Sequence, residues 1–226
     1  MDFFDNDFLD NPTQRVPVCI CLDTSGSMSG NPIRELNEGI KVFFDSIMED
    51  EIASYSADVC VITFGQSPKC IMDFTTVSNV RNIPILTAHG GTPMGDAINL
   101  ALDKLEKRKN DYKNAGIDYF QPWLVIMTDG EPCGDSTPNA LEKAQARATQ
   151  LANNRKLVVM PIWIGDNDEE SGMKVLSGFS PKNQPKKLKG LNFQAFFTWL
   201  SSSVSGVSQS NNKSFTLKPT TEWSVQ

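Results

Sequence analysis

A single histidine in 226 residues, and five cysteines with no Cys-x-x-Cys pair, leave the chain without the ligand spacings of the common zinc sites. No G-x-x-x-x-G-K-[ST] loop is present to cradle a nucleotide phosphate. The run from Gly26 to Gly30 reads G-S-M-S-G, with methionine where a G-x-S-x-G hydrolase carries its nucleophile. No apolar stretch approaches the ~20 residues that span a bilayer, so no membrane segment is expected. Basic charge is in deficit: 21 Lys and Arg against 27 Asp and Glu give a formal net charge of -6, a poor surface for nucleic acid.

The first residues, MDFFDNDFLDNPTQR, carry acids where a secretory signal has a basic start and an apolar core. Cys19, Cys21 and Cys60 lie inside apolar runs, as buried reduced thiols do, and the cysteine count is odd. Both features point to a soluble, cytoplasmic protein in a reducing compartment. The length suits one α/β domain with appendages. We expect an acidic segment over 1–15, a domain over 16–207 and a tail over 208–226.

Continuous apolar runs of strand length stand at VPVCICL (16–22), DVCVITF (58–64), WLVIMT (123–128) and LVVMPIWI (157–164). Runs without polar alternation suit strands covered on both faces, hence a parallel sheet between helices. KCIMDF (69–74), following GQSP, reads as an antiparallel hairpin partner at the sheet edge. Helical periodicity fills the gaps: Ile33, Leu36, Ile40, Phe43 and Ile47; Met94 to Leu105; Leu141, Ala144, Ala148 and Leu151; Phe193, Phe196, Phe197, Leu200 and Val204. The predicted fold is therefore an α/β, doubly wound, mostly parallel sheet with one antiparallel edge strand and helices on both faces. Helix starts are predicted at Asn31-Pro32, Thr92-Pro93 and Thr137-Pro138, each pairing an N-cap residue with proline at the first helical position. In such a sheet the strand-to-helix loops gather at the carboxyl ends of the strands, where ligands bind.

Three of those loops carry oxygen donors. LDTSGSMSG supplies Asp23, Ser25 and Ser27, HGGTPMGDA supplies Thr92, and TDGEP supplies Asp129. In D-x-S-x-S each second residue of an extended turn faces the same point, and Gly26 lets the backbone fold tightly. Two carboxylates with three hydroxyls form a hard, all-oxygen set; magnesium suits it and manganese also fits.

DTSGSMSG, GGTPMGDAI and TDGEP together resemble the metal-ion-dependent adhesion site of von Willebrand factor A-type domains, and the likeness runs from about Val16 to Val204. The resemblance implies that Asp23, Ser25, Ser27, Thr92 and Asp129 are the metal ligands and that one coordination position accepts an acidic residue of a partner protein. It further implies that Asp129 acts through water and that Thr92 switches between direct and water-mediated contact. Within the family the chain looks most similar to the bacterial tellurite-resistance TerY-like group, whose members are associated with a protein phosphatase and a kinase-like protein in a stress response.

Other readings remain open. Taken singly, Ser25 and Ser27 are ordinary turn residues and Thr92 an ordinary N-cap. A metal-dependent phosphohydrolase is the rival class, although an aspartyl phosphatase places a second acid two residues after its nucleophile, where this chain has Ser25. A third reading is a scaffold that binds through its tail, where Phe215, Leu217 and Trp223 seek cover; docking onto the same chain is favoured. His89 is read as incidental, Asp96 as a first-turn acid favoured by the helix dipole, and Glu131 and Asp135 as loop acids. Trp123 and Trp163 are read as core, and the basic run KNQPKKLKG (182–190) as a solvated loop. Oligomeric state is not legible.

Overall fold

The computed structural model describes residues 8, 10–165, 169–181, 183–210 and 218–225. β1 (Val16–Asp23) leads through a short 3-10 turn to α1 (Asn31–Met48) and α2 (Glu51–Ser56), then β2 (Ala57–Phe64), which turns back as β3 (Pro68–Thr76). A long connection reaches α3 (Met94–Ala115), followed by β4 (Trp123–Thr128), α4 (Ala140–Asn153), β5 (Val158–Trp163), α5 (Glu169–Ser177), β6 (Lys186–Lys187) and α6 (Phe193–Ser208). The sheet order is β3-β2-β1-β4-β5-β6. Every pairing is parallel except β2 with β3. This is the doubly wound sheet with one antiparallel edge strand that the apolar runs predict.

Burial on both faces explains why those runs lack polar alternation. Along β1, Val16, Val18, Ile20 and Leu22 join the layer containing α1 and α6, whereas Cys19 and Cys21 face the layer containing α3 and α4. Strand β4 divides the same way, with Trp123, Val125 and Met127 on one side and Leu124 and Ile126 on the other. Trp123 and Trp163 are core residues, as expected.

Three elements depart from the sequence reading. α2 and α5 are too short to show a helical period. β6 lies inside the basic run expected to be a loop: Lys186 and Lys187 pair with Ile162 and Trp163, and Lys187 meets Glu169 at 2.6 Å. The three proline-marked helix starts are also corrected. Gly30, Pro93 and Asn139 occupy the cap positions, and none of the three helices is capped by its own cap side chain.

At the amino-terminal end of the sheet the core holds a charged cluster. Asp58 on β2 is paired with Arg108 of α3 at 2.6 Å and accepts a hydrogen bond from Tyr112, and all three are buried. Phe8 covers the Arg108 guanidinium, its ring centroid 4.6 Å away. A buried ion pair adds little net stability, but removing one partner strands the other charge. Arg108→Met is therefore expected to destabilise the fold by about 3–5 kcal/mol in urea denaturation, with the Asp58→Asn, Arg108→Met double variant recovering most of the loss.

The tail closes the opposite edge. Trp223 is 1% exposed and packs edge-on against Phe196 and obliquely on Trp199, with centroids 4.9 and 5.2 Å apart. Lys189 donates its backbone N–H to the Trp223 carbonyl, Val225 donates to that of Lys187, and Leu188 bridges Ser224. The tail thus docks on its own chain through Trp223; Phe215 and Leu217 lie outside the described residues. Trp223→Ala leaves a cavity between α6 and the sheet and is expected to cost about 3–5 kcal/mol, read as a lower urea midpoint.

Candidate functional site

The parallel register brings the chemistry together. Leu22 lies opposite Met127, so Asp23, the last residue of β1, comes level with Thr128, the last residue of β4. Thr128 donates its hydroxyl to Asp23 Oδ2 at 2.5 Å, and the backbone N–H of Ser25 donates to Asp23 Oδ1 at 2.8 Å. Ser25 Oγ lies 2.9 Å from Ser27 Oγ, and Ser27 donates to Asp129 Oδ1 at 2.7 Å. One hydrogen-bonded chain therefore links four of the five residues expected here.

Thr92, the fifth, arrives by a different route. Its backbone N–H and carbonyl exchange hydrogen bonds with Cys133 at 3.1 and 2.9 Å, tying the second loop to the third. Gly26 N–H to Gly90 O at 3.0 Å and His89 N–H to Thr24 O at 2.8 Å tie the second loop to the first. Thr92 does not cap α3, since Pro93 holds that position. Its hydroxyl faces the site instead: a Cβ placed on Gly130 would lie 3.4 Å from Thr92 Oγ1 and 4.0 Å from Ser27 Oγ. Close approach also fixes Gly65, where a Cβ would meet the His89 and Thr24 carbonyls at 2.6 Å.

Burial without compensation sets the electrostatics. Desolvation pushes the Asp23 carboxyl up to about 6 against the hydrogen bonds of Ser25 and Thr128, and the nearby Asp129 charge adds to the rise. Desolvation likewise raises Asp129, with the Ser27 hydroxyl opposing it. Among the described residues no lysine or arginine neutralises either acid. Two desolvated carboxylates, three hydroxyls and the Gly130 cradle fit a small hard cation. No histidine orients Ser25 or Ser27 as a nucleophile, and His89 is exposed, contributing its backbone N–H.

Sequence reading missed the supports. Thr128 was visible only as a strand end, although a hydroxyl immediately before the loop acid was the available signal. Asp135, expected as a solvated loop acid, caps α3 from outside by accepting the Gly95 and Asp96 N–H groups at 3.2 and 2.9 Å. Asp96 returns the arrangement: Oδ2 accepts from Ser136 N and Oγ at 2.6 and 2.8 Å and from Thr137 N at 3.2 Å. Burial opposes ionisation of Asp96, but the Thr137 and Ser136 hydrogen bonds outweigh it and hold the carboxyl below its ordinary range. At Gly95 a Cβ would sit 2.3 Å from Leu141 N, so the starts of α3 and α4 touch through glycine.

A model of the von Willebrand factor type A domain matches residues 18–192. The chain belongs to this family. Domains of this family are usually metal-dependent, non-catalytic protein-interaction modules, and no enzymatic family is indicated. The chain is similar to an uncharacterized protein of Synechocystis sp., 25% identical over 174 residues that make up 74% of this chain and 37% of that protein. It is also 27% identical over 134 residues to inter-alpha-trypsin inhibitor heavy chain H4 of Sus scrofa, covering 56% of this chain and 14% of that one. The A-type chain thus spans well under half the length of either relative. Among solved structures, the vWF domain of the type V pili tip protein Mfa5 from Porphyromonas gingivalis shares the fold at a TM-score of 0.61 and 12% identity, over 88% of this chain and 98% of that one. Manganese-loaded TRAP of Plasmodium vivax matches at a TM-score of 0.51 and 20% identity, over 83% and 73%.

Removing the external cap is expected to loosen the third loop of this A-type domain. Asp135→Ala should cost about 1 kcal/mol, as loss of a helix cap does, read in urea denaturation. Its local signature is faster hydrogen exchange at the Gly95 and Asp96 amides, with β1 unchanged.

Proposed function

We propose that the chain is a non-catalytic protein-binding module working through a divalent cation, Mg2+ by preference with Mn2+ as substitute, held by Asp23, Ser25, Ser27, Thr92 and Asp129. The observation that supports this most directly is the pair of desolvated acids, Asp23 and Asp129, at neighbouring strand ends with no lysine or arginine among the described residues beside them. A bound cation supplies a Lewis-acid position for a carboxylate of a partner protein. Thr128 and the Ser25 amide orient Asp23, and Ser27 orients Asp129, so both acids stand ready before binding. The backbone bonds joining the second loop to the other two would couple any shift of Thr92 to their positions.

The rival readings fare less well. A phosphohydrolase of the aspartyl type lacks its second acid at Ser25. A tail-borne binding scaffold is disfavoured because Trp223, the tail's buried anchor, is engaged within the fold. The biological setting rests on motif resemblance alone: a bacterial tellurite-resistance or stress-response system with a protein phosphatase and a kinase-like partner. Cytoplasmic residence is supported by five cysteines that are all free thiols, among them the exposed Cys133. Among the described residues no helix is long and apolar enough to cross a membrane.

Magnesium at a hundredfold excess over Kd should stabilise the wild-type fold by about 2.7 kcal/mol, read as a rise in Tm. Asp23→Ala should fold, lose that rise and release partners that the wild type captures in magnesium but not in chelator. Thr128→Val keeps all five donors and should weaken magnesium binding about 10–100-fold. An unchanged magnesium response in Asp23→Ala would overturn the assignment.

A further inference from the structure

The antiparallel pair β2–β3 is irregular. Its register shifts between Val59 and Val61 and again between Val61 and Ile62, and neither Cys60 nor Asp73 has a ladder partner across the pair. Bulges of this kind re-aim side chains. Here the consequence is a cluster of metal donors: Cys60 Sγ, Cys70 Sγ and an Asp73 carboxylate oxygen lie within 4.8 Å of one another.

The two sulfurs are 3.7 Å apart. That separation is the edge of a tetrahedron whose centre lies about 2.3 Å from each corner, the zinc–thiolate distance. It is far from the roughly 2.05 Å of a disulfide, and both thiols are free. Access and anchoring are divided between them: Cys60 is buried on β2, while Cys70 is half-buried on the edge strand and the Asp73 side chain is 42% exposed. The carboxylate is held at both oxygens, Oδ1 accepting from Phe74 N at 2.9 Å and Oδ2 meeting Lys104 Nζ at 2.6 Å. Two thiolates and a carboxylate around a divalent ion sum to a charge of minus one, which the Lys104 ammonium balances.

We propose that Cys60, Cys70 and Asp73 form a second metal site, specific for a thiophilic divalent cation of zinc type, with water in the remaining position. It is separate in chemistry from the oxygen-donor loops: sulfur ligands select softer ions than magnesium. Sequence spacing does not announce the site because the ligands are ten and three residues apart, and only the hairpin and its bulge bring them together. Binding displaces both thiol protons to solvent, so uptake of the ion acidifies an unbuffered solution.

Cobalt(II), which replaces zinc and reports thiolate ligation through a charge-transfer absorption, is the probe, titrated into the reduced full chain. The expected result is a saturable absorption in the wild type and in Asp23→Ala alike, displaced by zinc. Cys70→Ser should abolish the absorption and weaken zinc binding by at least ~100-fold, since losing a ligand must cost no less than losing an outer-shell support. Asp73→Asn, nearly isosteric, should weaken it by about 10-fold or more. Circular dichroism establishes that each variant folds; should Cys70→Ser fail, Asp73→Asn decides. No absorption in the reduced wild type, persistence of the absorption in folded Cys70→Ser, or unchanged affinity in Asp73→Asn overturns the proposal.

Discussion

Strand β1 lies between β2 and β4, and its register with both neighbours is the constraint on which the site depends. It is paired along its whole length, Val16 with Ala57 through to Asp23 with Phe64 on one side and Val18 with Trp123 to Leu22 with Met127 on the other. A slip of one residue would exchange the cysteine face for the valine and isoleucine face and separate Asp23 from Thr128. The same burial that locks the register also strips water from the carboxylate at its end. Core packing and the unusual state of Asp23 therefore have one cause.

Two buried aspartates show the two ways in which this fold surrounds such a group. Asp58 is met by the Arg108 guanidinium and the Tyr112 hydroxyl, so its charge is compensated within the chain. Asp23 receives a hydroxyl and an amide, and its nearest charged neighbour is another acid. Burying an ionised carboxylate without a partner is costly. The fold offsets that cost at Asp58 with a cation and leaves Asp23, at the mouth of the sheet, beside another acid.

Much of the fold was legible because strands covered on both faces leave uninterrupted apolar runs, and long helices leave a stripe such as Ile33 to Ile47. α2, α5 and β6 were not, since six, nine and two residues carry too little periodicity. The five oxygen-bearing residues Asp23, Ser25, Ser27, Thr92 and Asp129 were legible as a set through motif order, and the loops do bring them together. Their supports were not: Asp135 caps a helix 40 residues earlier, and nothing local to TDGEP announces that bond. The proline-marked caps failed for a related reason, because α3 obtains its cap from a neighbouring loop and leaves the Thr92 hydroxyl to the site.

The cysteines show the limit of spacing arguments most clearly. Cys19 and Cys60 face each other directly across β1 and β2. Cys70, paired opposite Ile62, shares the face of Cys60 by ordinary alternation, and it is Asp73 that the irregular stretch of β3 brings to that face. Pairing between strands depends on register and bulges, which are tertiary outcomes, so a ligand set assembled across a hairpin leaves no fixed interval in the sequence. The oxygen donors escape this limit because three of them lie within five consecutive residues, where the turn itself sets their geometry. Local motifs are thus readable in proportion to how many donors one loop supplies, and the Cys60, Cys70 and Asp73 cluster stands at the opposite extreme.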